Sequence, residues 1–254
     1  MGSNADVMVL QMRALREKLS SSFRFVFANG PFFCEAGPGV LPVYEDAGPF
    51  RRWFRWSESH RILKPKHQIE AIRRCLEDAM AEDDELGGCG PWVGLLGFSQ
   101  GARLSASMLF EYQRRQGIQA NGEIPQGYEG DSSSTLWSQR WKFAVLISGP
   151  APLVALSPDV GELPLQSPTE LCLCHRELEK LDISGKITIV TPTLHVIGVH
   201  DEWASSQRKL YDSYCSEKSR SLFEWEGDHR IPIQSQEIDE ICARMLVMAN
   251  KEAE

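Results

Sequence analysis

The stretch that decides the reading runs Val93-Gly-Leu-Leu-Gly-Phe-Ser-Gln-Gly-Ala-Arg-Leu104. An apolar run leads to one serine between Gly97 and Gly101, and a helix-forming sequence follows. G-x-S-x-G suits a sharp turn from a buried strand into a helix, which lifts the serine into a strained, exposed position at the strand's C-terminal end. Gly97 and Gly101 are expected to leave room where turn and helix crowd each other. The five-residue pattern also occurs in ordinary loops. Ser99 becomes a candidate nucleophile because a strand precedes it and a helix follows it.

The pattern on either side alternates strand and helix. Residues 5–20 read as a helix, with Val9, Met12, Leu15 and Leu19 at three-to-four spacing and Asn4 or Asp6 able to cap it. Residues 23–27 (Phe-Arg-Phe-Val-Phe) read as a strand, and a loop rich in Gly, Pro and aromatic residues runs on to about His60, as satellite core or as the wall of an apolar pocket. Further helices are expected over 64–82, 100–115, 170–181, 205–215 and 234–250, and strands over 92–98, 143–148, 193–198 and 221–225. Residues 117–138 are polar and Gly-rich and read as an exposed, disordered excursion. The strands are short and apolar on both faces, which predicts an α/β fold with a mainly parallel sheet covered by helices on both sides. Residues 1–254 are read as one domain with a Pro-rich lid insertion at about 150–185.

The net charge of −8 argues against nucleic acid or an anionic membrane as the main partner, and Arg51-Arg52 is too short a basic cluster to reverse that. No apolar run approaches a membrane span, and the first residues lack a signal-like pattern. Seven cysteines without C-x-x-C spacing fit free thiols in a reducing, cytoplasmic setting. Cys172-x-Cys174-His175 has no second ligand pair at finger-like spacing, so no metal or other cofactor is expected.

A serine hydroxyl needs a base within hydrogen-bond reach, itself oriented by a carboxylate. In a doubly covered parallel sheet such groups sit on loops at the C-terminal ends of strands. Of six histidines, His60 and His67 lie beside a helix start, His175 in the insertion and His195 inside a strand. His229 follows the last strand in Glu-Gly-Asp-His229, with Gly227 to let the ring swing inward, and His200-Asp201 follows the strand before it. The order Ser99, Asp201, His229 is that of the α/β-hydrolase arrangement. Asp228 and Glu202 are rival carboxylates, but adjacent side chains usually diverge, which favours Asp201 as the partner of His229.

Gly97-Phe-Ser-Gln-Gly101, the segment 191–198 leading to Asp201, and Gly227-Asp-His229 resemble a fungal and eukaryotic family of serine hydrolases. Residues 23–54, with Ala28-Asn-Gly-Pro31 and Gly37-Pro-Gly-Val-Leu-Pro-Val43, resemble most the trans-acting thioesterases of fungal polyketide pathways. The resemblance implies hydrolysis of an acyl thioester presented on the acyl-carrier domain of a polyketide synthase, as part of secondary metabolism. A general short-to-medium-chain carboxylesterase and a catalytically impaired scaffold or binding protein are the alternatives.

Members of that family begin with an apolar strand ending in His-Gly, and residues 1–5 here correspond to the loop after it. By this analogy the first core strand is missing, and a gap is expected between residues 23–27 and 93–98. The oxyanion hole would take one N–H from Gln100 and a second from Met1 or Gly2, expected at a poorly fixed chain end. Losing one donor typically lowers turnover by about 10²–10³-fold, so impaired activity is expected.

Overall fold

In the computed structural model, residues 1–117, 134–157, 163–171 and 187–250 are described. Four parallel strands form the central sheet: β3 (Gly94–Phe98), β4 (Phe143–Ile147), β5 (Thr193–Gly198) and β6 (Arg220–Trp225), adjacent in that order. Every residue of β4 and β5 is buried, which explains why β4 reads as an unbroken apolar run and why β5 carries only Thr193 and His195 as polar side chains, both buried. Their side chains divide by alternation. Ala144 and Leu146 pack with α3 (Pro65–Glu85), α4 (Gln100–Arg115) and the helix Ala204–Tyr214. Phe143, Val145 and Ile147 face the opposite side, where α2 (Arg13–Leu19) contributes Leu15 and Leu19 and the helix Ser235–Asn250 contributes Ile238, Ile241 and Met245. Two helical layers thus fix the sheet, and β3 and α4 meet at Ser99.

The first helical segment is broken. α1 (Ala5–Gln11) ends at Met12, whose φ of −94° and ψ of 11° leave the helical region, and α2 resumes at Arg13. Asn4 caps α1 by accepting the Val7 N–H at 2.9 Å. Burial falls on Val7, Met12, Leu15 and Leu19, with Val9 only half-buried.

Residues 23–27 are not a strand, contrary to the expectation from sequence. A strand requires a ladder partner, and the backbone groups of residues 24–28 have no hydrogen bond among the described residues. Across from them β3 is an edge strand paired only with β4. Between the two lies a cavity of about 1140 Å³ lined by residues 22–28 on one side and 89–96 on the other, in the place where the gap was expected. Arg24 holds the segment at one end. Its Nε lies 2.8 Å from Asp83, its NH1 donates to the Cys89 carbonyl, and its guanidinium stands 5.4 Å from the Trp92 ring.

The aromatic loop contains structure that its sequence does not announce. β1 (Phe32–Cys34) and β2 (Phe50–Arg52) pair antiparallel as a short ribbon, Phe33 opposite Arg51. The first residues of the chain attach to this ribbon, which corrects the expectation of a poorly fixed end. Gly2 N–H donates to Arg51 O at 3.0 Å, Arg51 N–H to Ser3 O at 2.7 Å, and Gly37 N–H to Gly2 O at 2.8 Å. Gly2 has φ +61°, and a methyl there would stand 2.0 Å from Gly37 N, so both the turn and the close approach require glycine.

The expected excursion at 117–138 falls mainly on 118–133, outside the described residues. Thr135–Ser138 is a short helix, α5, whose Leu136 and Trp137 are buried. The 170–181 helix and Cys172, Cys174 and His175 also lie largely outside the described residues, as do 158–162 and 172–186 of the lid segment. The described parts of that segment pack against α4. Arg103, 2% exposed, donates to Pro152 O at 2.5 Å and to Gln166 Oε1, and Ala155 N–H reaches Gln166 O at 2.9 Å.

Candidate active site

The β3–α4 turn is strained. Ser99 has φ 53° and ψ −116°, a left-handed conformation that a non-glycine residue adopts only when its surroundings impose it. The surroundings are backbone. Ser99 N–H donates to Ile147 O at 2.9 Å, and Ser99 O accepts the first intrahelical bond from Arg103 N–H at 3.0 Å. A methyl on Gly97 would stand 2.2 Å from the Gly101 carbonyl carbon, so the sharpness of the turn depends on Gly97. Gly101 differs from expectation: a methyl there would meet nothing within 4 Å. The serine itself is 5% exposed, so it is reached through the cavity and is not displayed at the surface as its motif suggests.

His229 Nε2 lies 2.9 Å from Ser99 Oγ, and His229 Nδ1 lies 2.7 Å from Asp201 Oδ2. A carboxylate can only accept, so Nδ1 carries the proton and Nε2 is left to accept the serine O–H. Two glycines allow this convergence. A methyl on Gly198 would stand 2.4 Å from Gly227 O, and His200 N–H donates to that same carbonyl at 2.9 Å. The ends of β5 and β6 can therefore close on each other. Gly227 has no positive φ; its missing side chain leaves room for the Trp225 ring, which a methyl would meet at 2.1 Å.

Asp201 is 5% exposed and held by two further donors, Trp203 N–H at 2.8 Å on Oδ1 and Gln207 Nε2 at 2.6 Å on Oδ2. Burial pushes its pKa up, but the hydrogen bonds from His229, the Trp203 N–H and Gln207 outweigh burial, and the carboxyl sits below its ordinary value. The rival groups are engaged elsewhere. Asp228 pairs with Arg230 at 2.8 Å, Glu202 accepts from Trp203 Nε1 at 3.2 Å, and exposed His200 meets Glu226 at 3.0 Å. His195 is a core residue beside Cys215, with its pKa lowered to about 3 by burial and then by Arg220.

Comparison with known proteins follows the same lines. The family described as serine hydrolase (FSH1) matches residues 1–241. The chain belongs to this family of serine hydrolases. It is 58% identical over 252 residues to a protein named "Probable esterase TOX9" from Cochliobolus heterostrophus, covering 99% of this chain and 91% of the relative. It is 38% identical over 253 residues to "Esterase citA" from Monascus ruber, covering 98% and 89%. Among solved structures, a carboxylesterase from Mesorhizobium loti superposes with a TM-score of 0.50 at 15% identity, covering 97% of this chain and 84% of that one, a likeness of fold. The fold is that of the α/β-hydrolases.

In this serine hydrolase the N–H groups of Gln100 and its neighbours open α4 and have no intrahelical acceptor, so they face the serine as the positive end of the helix. The Gln100 side chain, 2% exposed, was not singled out by sequence. Its Oε1 accepts the N–H groups of Trp53 and Phe54 at 3.2 and 3.3 Å, and its Nε2 donates to Phe54 O at 3.2 Å, tying the aromatic loop to the turn. Met1 lines the same cavity as Ser99 and His229, and its Sδ lies 3.9 Å from Gln100 Nε2. The neighbouring Gly2 N–H is taken by Arg51 O, which removes it as an oxyanion donor in this arrangement.

Proposed function

We propose that this serine hydrolase is a thioesterase in which Ser99, His229 and Asp201 form the catalytic triad, releasing an acyl or polyketide chain from a carrier-protein thioester in a secondary-metabolite pathway. The observation that carries the triad is the hydrogen-bonded series Ser99–His229–Asp201 at a strained turn heading a helix. The thioester and carrier reading is supported by the resemblance of residues 23–54 to the trans-acting thioesterases. Free Cys34, Cys75, Cys89, Cys215 and Cys242 favour work in the reducing cytoplasm.

His229 Nε2 takes the Ser99 proton as Oγ attacks the thioester carbonyl, and the Gln100 N–H receives the negative oxygen. The C–S bond breaks, the thiolate leaves with the proton from His229, and the acyl group remains on Ser99 as an ester. Water then gives a proton to His229 while its oxygen attacks that ester. The carboxylic acid departs and Ser99 recovers its proton. Asp201 holds the imidazolium throughout.

A fluorophosphonate probe tests the nucleophile. The native chain labels and a Ser99→Ala variant does not; equal labelling of both would overturn the assignment. Thioesters presented on a carrier domain should turn over faster than simple aryl esters, and the reverse would assign a general carboxylesterase, the reading favoured by the relatives' printed names. A third reading, weak turnover as an impaired hydrolase or scaffold, rests on the Gly2 N–H being bound to Arg51 O. It predicts labelling by the probe with little steady-state hydrolysis.

A further inference from the structure

Charge is unevenly spread along this acidic chain. Residues 50–66 hold Arg51, Arg52, Arg55, Arg61, Lys64 and Lys66 against Glu58 alone, a net +5 that leaves −13 for the rest of a chain at −8. Elsewhere arginines meet carboxylates, as Arg13 does Glu17, Arg24 Asp83, Arg208 Glu224 and Arg244 Glu240. No cation of residues 50–66 pairs with a carboxylate among the described residues. Arg55 spends its guanidinium on the carbonyls of His60 and Glu58.

Arg51 and Arg52 point to opposite faces of the β1–β2 ribbon, Arg52 being buried with its guanidinium 5.0 Å from the Phe32 ring, and exposed Lys64 stands at the head of α3, whose Gln68 donates to Trp53 O just beyond β2 at 3.2 Å. Phe33 and Arg51 are opposite in register, and the Arg51 guanidinium stands 3.8 Å above the Phe33 ring, which is 63% exposed. Two residues on, where alternation returns to the same face, Glu35 accepts His60 Nε2 at 3.1 Å, and exposed Arg61 follows His60. Arg51 also lines the cavity that reaches Ser99 and His229, as does Val40, beside which Leu41 and Val43 project into solvent. Phe33, Leu41, Val43 and Ile62 are four of the eight large exposed apolar side chains among the described residues. Exposed aromatic and aliphatic groups beside unpaired cations are the anatomy of a protein-docking surface.

We infer that this face, with Phe33, Arg51, Arg61 and Lys64 and with Leu41 and Val43 at its edge, docks an acidic carrier domain and delivers its acyl group to the cavity. The inference rests on the thioesterase reading. A free small thioester would use a cation at the mouth but leave the apolar groups in water, so the surface commits to a macromolecular partner.

The test compares one acyl group on a phosphopantetheinylated carrier domain, on coenzyme A and on N-acetylcysteamine, with the native enzyme and an Arg61→Glu/Lys64→Glu variant. For the carrier substrate, kcat/KM should fall about tenfold or more in the variant and decline with added salt in the native enzyme, because charges at an interface rim act mainly on association. The N-acetylcysteamine reaction should keep its rate. Equal carrier rates in both proteins, equal losses on all three substrates, or a coenzyme A loss matching the carrier loss would each overturn the docking face. Binding of the unloaded carrier domain to Ser99→Ala enzyme, with and without the charge reversals, separates the two readings. Face-dependent binding without hydrolysis sinks the thioesterase and keeps the docking surface; hydrolysis indifferent to the reversals does the opposite.

Discussion

Gln207 Nε2 donates to Asp201 Oδ2 at 2.6 Å, the same oxygen that His229 Nδ1 reaches at 2.7 Å. One carboxylate oxygen thus serves both the histidine and a buried amide, and Gln207 Oε1 itself has no partner among the described residues. Replacing Gln207 by leucine should take one stabilising donor from the charged carboxyl and let its pKa rise. The acid limb of the pH–rate profile should then move to higher pH, and kcat/KM should fall about tenfold, the scale of one hydrogen bond to a charged group. An unchanged profile would show that Gln207 only fills space.

The two glycines of the serine motif should behave differently. Gly97→Ala places a methyl 2.2 Å from backbone, so the turn must move, and probe labelling of Ser99 should be lost along with about 1–3 kcal/mol or more of stability. Gly101→Ala meets nothing and lies in a helix, so it should keep labelling and gain about 0.4–1 kcal/mol. Thermal melts with labelling of both variants decide the matter.

His195 governs acid sensitivity. Its folded pKa of about 3 lies below the value of about 6.5 expected in the unfolded chain, so between these values the unfolded state binds the extra proton. Stability contributed by neutral His195 is therefore full above about pH 6.5 and is lost as pH falls toward 3. Asp201, also lowered, acts in the same direction at the acid end. Urea midpoints between pH 7 and 4 should drop steeply for the native chain and less for a His195→Gln variant.

Gln100 ties the aromatic loop to the turn. Gln100→Ala leaves the Trp53 and Phe54 N–H groups without their acceptor, at a cost of about 1–3 kcal/mol for each one left buried. Kinetics on an ester series should show bulky acyl esters losing more kcat/KM than acetyl esters, since Trp53 lines the cavity. A uniform loss across the series would place the effect on Ser99 alone.

Much of this arrangement was legible in the chain. β4 and β5 declared themselves because burial on both faces keeps them almost wholly apolar, Thr193 and His195 being the exceptions, and Asp201 and His229 could be picked out because they follow strand ends in a fixed order. Residues 23–27 misled because composition reports a preference for extended backbone, while a strand also needs a neighbour to bond with. The β1–β2 ribbon was hidden among glycines, prolines and aromatics, since three-residue strands are too short to show alternation. Gln100 and Gln207 were illegible for another reason. An amide's role depends on what lies beside it in space, and neither Trp53 nor Asp201 has a sequence pattern with its glutamine.

The wall formed by residues 24–28 has a mechanical character unlike the opposite wall of the cavity. A guanidinium clamp at Arg24 fastens it near one end, and at the other the Asn29 side chain accepts the Ala5 N–H at 2.9 Å, with no peptide ladder between them. Between these ties its backbone makes no hydrogen bond among the described residues and it is held by packing, Phe25 and Phe27 against the core and Arg16 5.5 Å from the Phe27 ring, whereas β3 is bonded to β4 along its length. With no ladder to open, the amides of residues 25–28 should exchange with solvent far sooner than those of β4, on the wall of the cavity that a bulky acyl group would press against.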